Sequence, residues 1–118
     1  MPDRNQHLER AVGNETLARS LDFDDGLQVD WAIVILFYSA LHYIDSFLAG
    51  KYKHPKSHEL RDTEVESNGT LHPIYNDYRR LKDGSRQARY DIPNYHKSQF
   101  PKFDQRFQKI KTLITSLP

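Results

Sequence analysis

Apolar side chains recur at helical spacing along almost the whole chain, and no stretch alternates apolar with polar residues as a half-buried strand does. The pattern predicts five helices, which we place at about 4–21, 29–49, 57–68, 70–90 and 102–117. Because the connections between them are short, neighbouring helices are expected to run antiparallel. The sequence therefore predicts an all-α fold, an antiparallel bundle of four or five helices depending on how the segment 57–68 is counted.

The apolar stripe of each helix predicts which side chains face the core. For the first, fourth and fifth helices these positions are Leu8, Ala11, Val12, Ala18 and Leu21, then Leu71, Ile74, Tyr75, Tyr78, Leu81, Ser85, Ala88 and Ile92, then Phe103, Phe107, Ile110, Ile114 and Leu117. His7 and Asn14 also lie on the first stripe, which is unusual for an apolar seam. The second helix is apolar nearly all round over 31–38, as expected for the buried centre of a bundle or an oligomer interface.

Capping residues, glycines and prolines predict where the helices begin and end. Gly50 is predicted to end the second helix, and Ser57 is a good N-cap for the third. Pro73 is tolerated because it falls in the first turn of the fourth helix. Gly84 is expected to weaken that helix without breaking it, since the apolar phase continues on both sides.

Length and composition narrow the class of protein. The chain has 118 residues, so we expect one domain spanning 1–118. It has no cysteine, which excludes a disulfide scaffold, a thiolate zinc site and a cysteine nucleophile. The N-terminal segment is charged, and the most apolar stretch, 31–41, is shorter than the roughly 20 residues that cross a bilayer. We therefore expect a cytoplasmic protein without a membrane segment.

The net charge of +1 hides an uneven distribution along the chain. Residues 1–50 carry three basic and eight acidic groups, whereas residues 51–118 carry fourteen basic and eight acidic groups. Most of the excess lies in 79–111, with ten basic groups against Asp83, Asp91 and Asp104. The split is either an accident of a solvated surface or the sign of a basic side that meets phosphate.

Common enzyme and metal motifs are missing from the sequence. There is no glycine-rich phosphate loop, no HExxH and no GxSxG. His54 and His58 are four apart, but Pro55 breaks the helix face that a metal would need. His42 and Asp45 are one turn apart on the second helix, and we interpret them as hydrogen-bonded to each other, with metal ligation as the alternative. The sequence thus predicts neither a metal nor a cofactor.

Two short clusters carry the residue types that recognise phosphate. His58 and Arg61 are one turn apart on the third helix, and Arg86, Arg89 and Tyr90 end the fourth. Arginine suits bidentate phosphate contacts, and a tyrosine ring can stack on a base. The alternative is a structural ion network that ties helices together, in which the neighbouring Asp91 is a potential partner.

Arg89 also begins an Arg-x6-His spacing that ends at His96. An arginine and a histidine that flank a phosphate can cleave RNA without metal. The histidine acts as the acid or base on the 2′-hydroxyl, and the arginine stabilises the phosphorane. This spacing alone is a weak signal in a chain rich in both residues.

The blocks FYSALH, SHELR and SRQARY, in that order, resemble a HEPN domain (higher eukaryotes and prokaryotes nucleotide-binding) over roughly residues 7–92. The resemblance implies a helical bundle that commonly dimerises. Many members are metal-independent endoribonucleases of toxin–antitoxin or antiviral systems, with an Arg-x4–6-His motif completed across the dimer cleft. Others lack activity and serve as accessory or binding modules, often beside a nucleotidyltransferase.

The leading hypothesis is therefore an RNA-directed, homodimeric HEPN-like endoribonuclease with Arg89 and His96 as its catalytic residues. His58, Arg61, Arg86 and Tyr90 would bind phosphate or nucleotide, with His42 and Asp45 in support. The expected partners are RNA or a nucleotide, a second copy of the chain, and an antitoxin or a nucleotidyltransferase. The first alternative is a non-catalytic module that binds a nucleotide or a partner protein at the same residues. The second is a bundle with a purely interacting role.

Overall fold

The computed structural model describes residues 1–91 and 95–117. Within these ranges the fold is all-α, as predicted, and contains no strand. The five α-helices are α1 (Arg4–Ser20), α2 (Gly26–Gly50), α3 (His58–Ser67), α4 (Tyr75–Tyr90) and α5 (Phe100–Ser116). Short 3₁₀ turns, His72–Ile74 and Lys97–Gln99, precede α4 and α5. The predicted core position Ile92 and the loop around Pro93 lie outside the described residues.

Polar N-caps fix where three of the helices begin. Asp3 accepts the backbone N–H of Gln6 and opens α1 with a capping box. Asp25 caps α2, which therefore starts three residues before its predicted position of 29. Ser57 caps α3 as predicted, accepting the N–H of Leu60.

Helix α2 is the central element and packs against α1, α4 and α5. It runs antiparallel to α1, because Ser39 donates a hydrogen bond of 2.6 Å to the carbonyl of Ala11 while His42 faces His7. The 25-residue helix is longer than its most apolar stretch suggested, and it is the one described helix long and apolar enough to cross a membrane. However, 72% of its most apolar window is buried, as in the core helix of a soluble bundle.

The end of α2 corrects the role predicted for Gly50. Gly50 is still helical, and the left-handed conformation that closes the helix falls on Tyr52, with φ 58°. The N–H groups of Tyr52 and Lys53 donate to the carbonyls of Ala49 and Leu48, which is the hydrogen-bond pattern of a Schellman motif. The stop signal is thus two residues later than glycine placement indicated.

Helix α4 begins later and packs more closely than the sequence suggested. The segment after 70 first forms the 3₁₀ turn containing Pro73, and α4 starts at Tyr75. Gly84 is buried and touches the ring of Phe103 on α5 so closely that an added Cβ would overlap it. The glycine is therefore explained by close approach of a neighbouring helix.

The prediction that Val12 lies in the core is wrong. Val12 is 52% exposed, while Ala11 and Ala18 are fully buried. Helix α1 covers α2 from one side, so its buried face is narrow and includes small side chains and His7. Leu17, which the predicted stripe omits, is 50% exposed as well.

Candidate functional site

Arg61, predicted to bind phosphate, is instead committed to Asp45. Its Nε and Nη2 donate to the two carboxylate oxygens of Asp45 at 2.8 and 3.0 Å. Arg61 is 8% exposed and Asp45 6% exposed, so the ion pair is desolvated. Burial tends to lower the pKa of Arg61, but the hydrogen bonds and charge of Asp45 raise it overall. Arg61 joins α3 to α2 and is not free to meet a ligand.

The predicted hydrogen bond between His42 and Asp45 is wrong. Asp45 accepts from Arg61, and the Nδ1 of His42 lies 3.0 Å from the Nδ1 of His7 on α1. Burial, more than any neighbouring charge, lowers the pKa of both His7 and His42, so both imidazoles are neutral at pH 7. His7 was visible in the sequence as a polar interruption of an apolar stripe, but nothing local connected it to His42, 35 residues away.

The hairpin formed by α3 and α4 places His58 beside the later turns of α4. Asp62 on α3 accepts a hydrogen bond of 2.9 Å from the hydroxyl of Tyr78 and pairs with Lys82 one turn further along α4. His58 lies one turn before Asp62 on α3, and α4 runs the opposite way. The side chain following Lys82 on the same face of α4, Ser85, therefore lies near the level of His58.

His58 itself is solvent-accessible at one edge and lies against an aromatic ring at the other. Its ring centroid is 6.2 Å from that of Phe37. Burial, followed by the positive charges of Arg61 and Lys82, lowers the pKa of His58 below 6.5, with Arg89 acting in the same direction and Asp62 opposing. The imidazole is thus neutral at pH 7 in a positive surrounding.

The last turns of α4 present the remaining basic residues to solvent. Arg89 donates from Nε to the carbonyl of Ser85 at 3.3 Å, and its guanidinium carbon lies 5.2 Å from the ring centroid of Tyr90. Tyr90 is 73% exposed, and Arg86 is exposed as well. Within residues 1–91 and 95–117, neither arginine forms an ion pair, so Asp91 does not act as the partner that the sequence suggested.

His96 has a local structural role that the sequence did not indicate. It is the N-cap of the 3₁₀ turn before α5, where its Nδ1 lies 3.2 Å from the backbone N–H of Ser98 and accepts from it. Its own backbone N–H donates to the side chain of Gln99 at 2.7 Å. Among the described residues, no hydrogen bond joins His96 to Arg89.

One buried polar atom at this site was not anticipated. Ser85 belongs to the predicted apolar stripe of α4, and it is fully buried. Its Oγ is the one buried side-chain oxygen or nitrogen without a hydrogen-bond partner among the described residues. The hydroxyl therefore lies within the helix hairpin, next in sequence to Arg86, without contributing to the ion network.

Four residues on neighbouring turns thus form what we call the α3–α4 basic surface, defined by His58, Arg86, Arg89 and Tyr90. It offers two guanidinium groups, an exposed ring and a neutral imidazole. This combination can bind a phosphate bidentately, stack on a base, and accept or donate a proton.

A separate cavity of about 400 Å³ lies at the other end of the bundle, between the start of α1, the end of α2 and α5. Its walls are mostly apolar, and Arg4 and Lys51 lie among its lining residues. None of the candidate site residues predicted from the sequence lines it. It is therefore distinct from the α3–α4 basic surface.

Comparison with known proteins does not identify a family for this chain. No protein-family profile, curated protein or solved structure matches the chain.

Proposed function

We propose that this chain is a cytoplasmic, RNA-directed protein of the HEPN type that contacts RNA phosphate through the α3–α4 basic surface. The proposal depends on the absence of carboxylate partners for the arginines on α4. Arg79, Arg80, Arg86 and Arg89 form no ion pair with a carboxylate in the described part of the chain. By contrast, Arg19, Arg61 and Arg106 are each paired with a carboxylate.

A guanidinium without a carboxylate partner gains more binding free energy from a phosphate contact than a paired one does. A guanidinium already held by a carboxylate must lose that contact before it binds another anion, whereas an exposed one exchanges only water. The rings of Tyr90 and His58 provide stacking surface beside Arg86 and Arg89, which is the arrangement that binds single-stranded RNA with little sequence preference.

The proposal includes metal-independent cleavage with Arg89 in the role first predicted for it. Arg89 would stabilise the negative charge of the phosphorane, and His58 would replace His96 as the group that accepts the 2′-hydroxyl proton. His58 suits this role because its imidazole is neutral at pH 7 and lies in the same hairpin as Arg89. A second copy of the chain would complete the cleft. The exposed side chains of Leu27 and Trp31, one turn apart on α2, offer an apolar contact for it.

Binding without cleavage is the second candidate function. It is favoured by both candidate bases, because the Nδ1 of His96 caps a 3₁₀ turn and no hydrogen bond among the described residues orients the imidazole of His58, which lies against Phe37. In that case the same surface serves an accessory module that binds RNA or a nucleotide, beside a partner such as a nucleotidyltransferase or an antitoxin.

The test measures binding and cleavage of a labelled single-stranded RNA in EDTA, using the wild type and the variants Arg86→Gln, Arg89→Gln, His58→Gln and His96→Gln. We expect each arginine variant to weaken binding and to reduce the salt dependence of log K by about 1, as for the loss of one phosphate contact. Arg4→Gln is the matched control, because Arg4 is an exposed arginine beside Gly50 at the far end of α2.

The outcomes distinguish cleavage from binding alone, and they also show whether the surface has no role in RNA binding. Cleavage that is lost in Arg89→Gln and His58→Gln but kept in His96→Gln supports the ribonuclease with His58 as its base. Arginine-dependent binding without cleavage supports the accessory module. Equal affinity of Arg4→Gln, Arg86→Gln and Arg89→Gln would rule out the α3–α4 basic surface as the RNA site.

A further inference from the structure

The second polar cluster of the bundle is separate from the α3–α4 basic surface and joins α1 to α2. His7 is 9% exposed and Asp45 is 6% exposed, whereas His42 has intermediate exposure. One ligand atom from each of the three residues lies within 4.8 Å of the other two. Asp45 is paired with Arg61, and the two imidazoles contact each other, so the cluster places two histidines and an oriented carboxylate together in a helical core.

We propose that His7, His42 and Asp45 form a binding site for a divalent transition-metal ion of the zinc class. The Nδ1 atoms of the two histidines would be the primary ligands, with a carboxylate oxygen of Asp45 as the third and solvent completing the coordination. The proposal is independent of RNA binding and goes beyond the proposed function.

The distance between the two imidazole nitrogens is the first argument. Nδ1 of His7 and Nδ1 of His42 are 3.0 Å apart, with the ring planes tilted by 33°. Two nitrogens bound at about 2.0–2.1 Å to a tetrahedral zinc ion lie about 3.3 Å apart. A shift of a few tenths of an ångström therefore converts this contact into a pair of metal ligands. Without a metal, the contact requires a proton on one of the two nitrogens.

The positions of the ligands on the helices are the second argument. His42 and Asp45 are one turn apart on the same face of α2, and His7 faces them from the antiparallel helix α1. Arg61 holds both oxygens of Asp45 and so orients the carboxylate, as an outer-shell partner orients a metal ligand. Each carboxylate oxygen retains a second lone pair beyond the one that Arg61 uses.

The surrounding charges determine which metal the site suits. Arg61 offsets the charge of Asp45, and Arg10 adds a further positive charge near His42. Mg²⁺ and Ca²⁺ rely on several charged or carbonyl oxygens, which the site does not offer. A borderline ion such as Zn²⁺ binds well to neutral imidazole, and burial keeps both imidazoles in that form.

Space for an ion and its water ligands exists on both sides of His7. A cavity of about 160 Å³ is lined by His7, Asp45 and His54, among others. A more open one of about 550 Å³ is lined by His7, His42 and Arg10, among others. An ion could therefore enter from solvent without unfolding of the helices.

The test is a titration of tag-free, chelator-treated protein with Zn²⁺, followed by calorimetry and by the thermal midpoint. Co²⁺ serves as a spectroscopic probe of coordination geometry, and Mg²⁺ as the negative control. We expect one Zn²⁺ per chain, a rise in the thermal midpoint and no effect of Mg²⁺. His7→Gln and His42→Gln should each weaken Zn²⁺ binding by at least about 100-fold, the upper end of the loss seen for outer-shell changes.

His72→Gln is the matched control, because His72 is an exposed histidine whose Nδ1 contacts the carbonyl of Glu66 far from the cluster. Asp45 is left unchanged, since its loss would strand Arg61. The wild-type measurement does not depend on whether the variants fold. Nitrogen-15 imidazole spectra should show the Nδ1 signals of His7 and His42 shifting on addition of one equivalent of Zn²⁺. Absence of those shifts, or Zn²⁺ binding that survives in both His7→Gln and His42→Gln, would overturn the proposal.

Discussion

At the scale of single residues, the chain separates arginines that hold the bundle together from arginines that face solvent. Arg61 and Arg86 illustrate the difference. Both belong to clusters that suggested phosphate binding, yet Arg61 is buried against Asp45 and Arg86 is exposed without a carboxylate partner among the described residues. The sequence could not distinguish them, because the partner of Arg61 lies 16 residues away on another helix.

This difference leads to a prediction about stability. Replacing Arg61 with Leu leaves the carboxylate of Asp45 buried and unpaired, so the free energy of unfolding should fall by about 3–5 kcal/mol. Replacing the exposed Arg86 with Gln should change it by no more than about 0.5 kcal/mol. Urea denaturation of both variants and the wild type measures the difference. A loss of similar size in the two variants would mean that the buried ion pair of Arg61 stabilises the fold no more than the exposed Arg86 does.

The partners of His7 and His42, like the partner of Arg61, lie on other helices and could not be predicted from the sequence. His7 was noticeable as a polar residue on an apolar stripe, and His42 as a polar residue on an apolar helix. Their pairing across α1 and α2 is a tertiary contact that periodicity cannot reveal. The capping of the 3₁₀ turn by His96 is set by the local backbone, since Ser98 donates its N–H to the His96 Nδ1, and the Arg-x6-His spacing does not indicate it.

At the scale of helices, the sequence predicted the elements well and their ends less well. Apolar spacing placed all five helices, because burying one face of each helix dominates the energetics of a bundle. The ends shifted where local hydrogen bonds decide them, as at the Asp25 cap and at Tyr52. Gly84 could not be interpreted from α4 alone, since its reason lies in the ring of Phe103 on α5.

Two glycines in helix interiors therefore respond differently to the same substitution. Gly13 on α1 has open space around its Cα, so Gly13→Ala should stabilise the protein by about 0.5–1 kcal/mol through helix propensity. Gly84→Ala gains the same propensity but must displace the ring of Phe103, so we expect a net loss of about 1–3 kcal/mol.

Thermal or urea unfolding of the two glycine variants, compared with the wild type, tests the packing of α4 on α5. The opposite signs are the key result. Stabilisation by both substitutions would show that Phe103 does not pack against Gly84.

At the scale of the whole molecule, folding brings charged residues of the acidic first half into ion pairs with residues of the basic second half. Acidic residues of the first half pair with basic residues of the second, as Glu15 does with Lys111 and Asp24 with Lys97. Arg19 of the first half pairs in turn with Asp104 of α5. The basic excess that remains outside such pairs includes the arginines of α4, which is why the RNA proposal centres on that helix.

The histidines also make the stability of the molecule dependent on pH. The pKa values of His7, His42 and His58 are all lowered below 6.5, with burial as the largest cause for each. A histidine whose pKa is lower in the folded state binds fewer protons when folded than when unfolded. Its contribution to stability is therefore present above pH 6.5 and is lost as the pH falls below it.

We accordingly expect the free energy of unfolding, measured in chelator, to decrease as the pH is lowered from 7.5 to 5. The decrease should be smaller in the double variant His7→Gln/His42→Gln, which removes two of the three titrating groups. Denaturant titrations across this pH range provide the measurement. Stability in the wild type that rises or stays constant towards pH 5 would contradict the burial of these imidazoles.

A nuclear magnetic resonance titration would directly test the proposed contact of RNA with the end of α4 and the start of α3. Nitrogen-15-labelled protein is mixed with a short single-stranded RNA in EDTA, and the amide shifts are mapped onto the chain. We expect the largest shifts at Arg86, Arg89, Tyr90 and His58, decreasing with added salt, and little change around Arg4. Shifts centred on another part of the molecule, or no shifts at all, would contradict it.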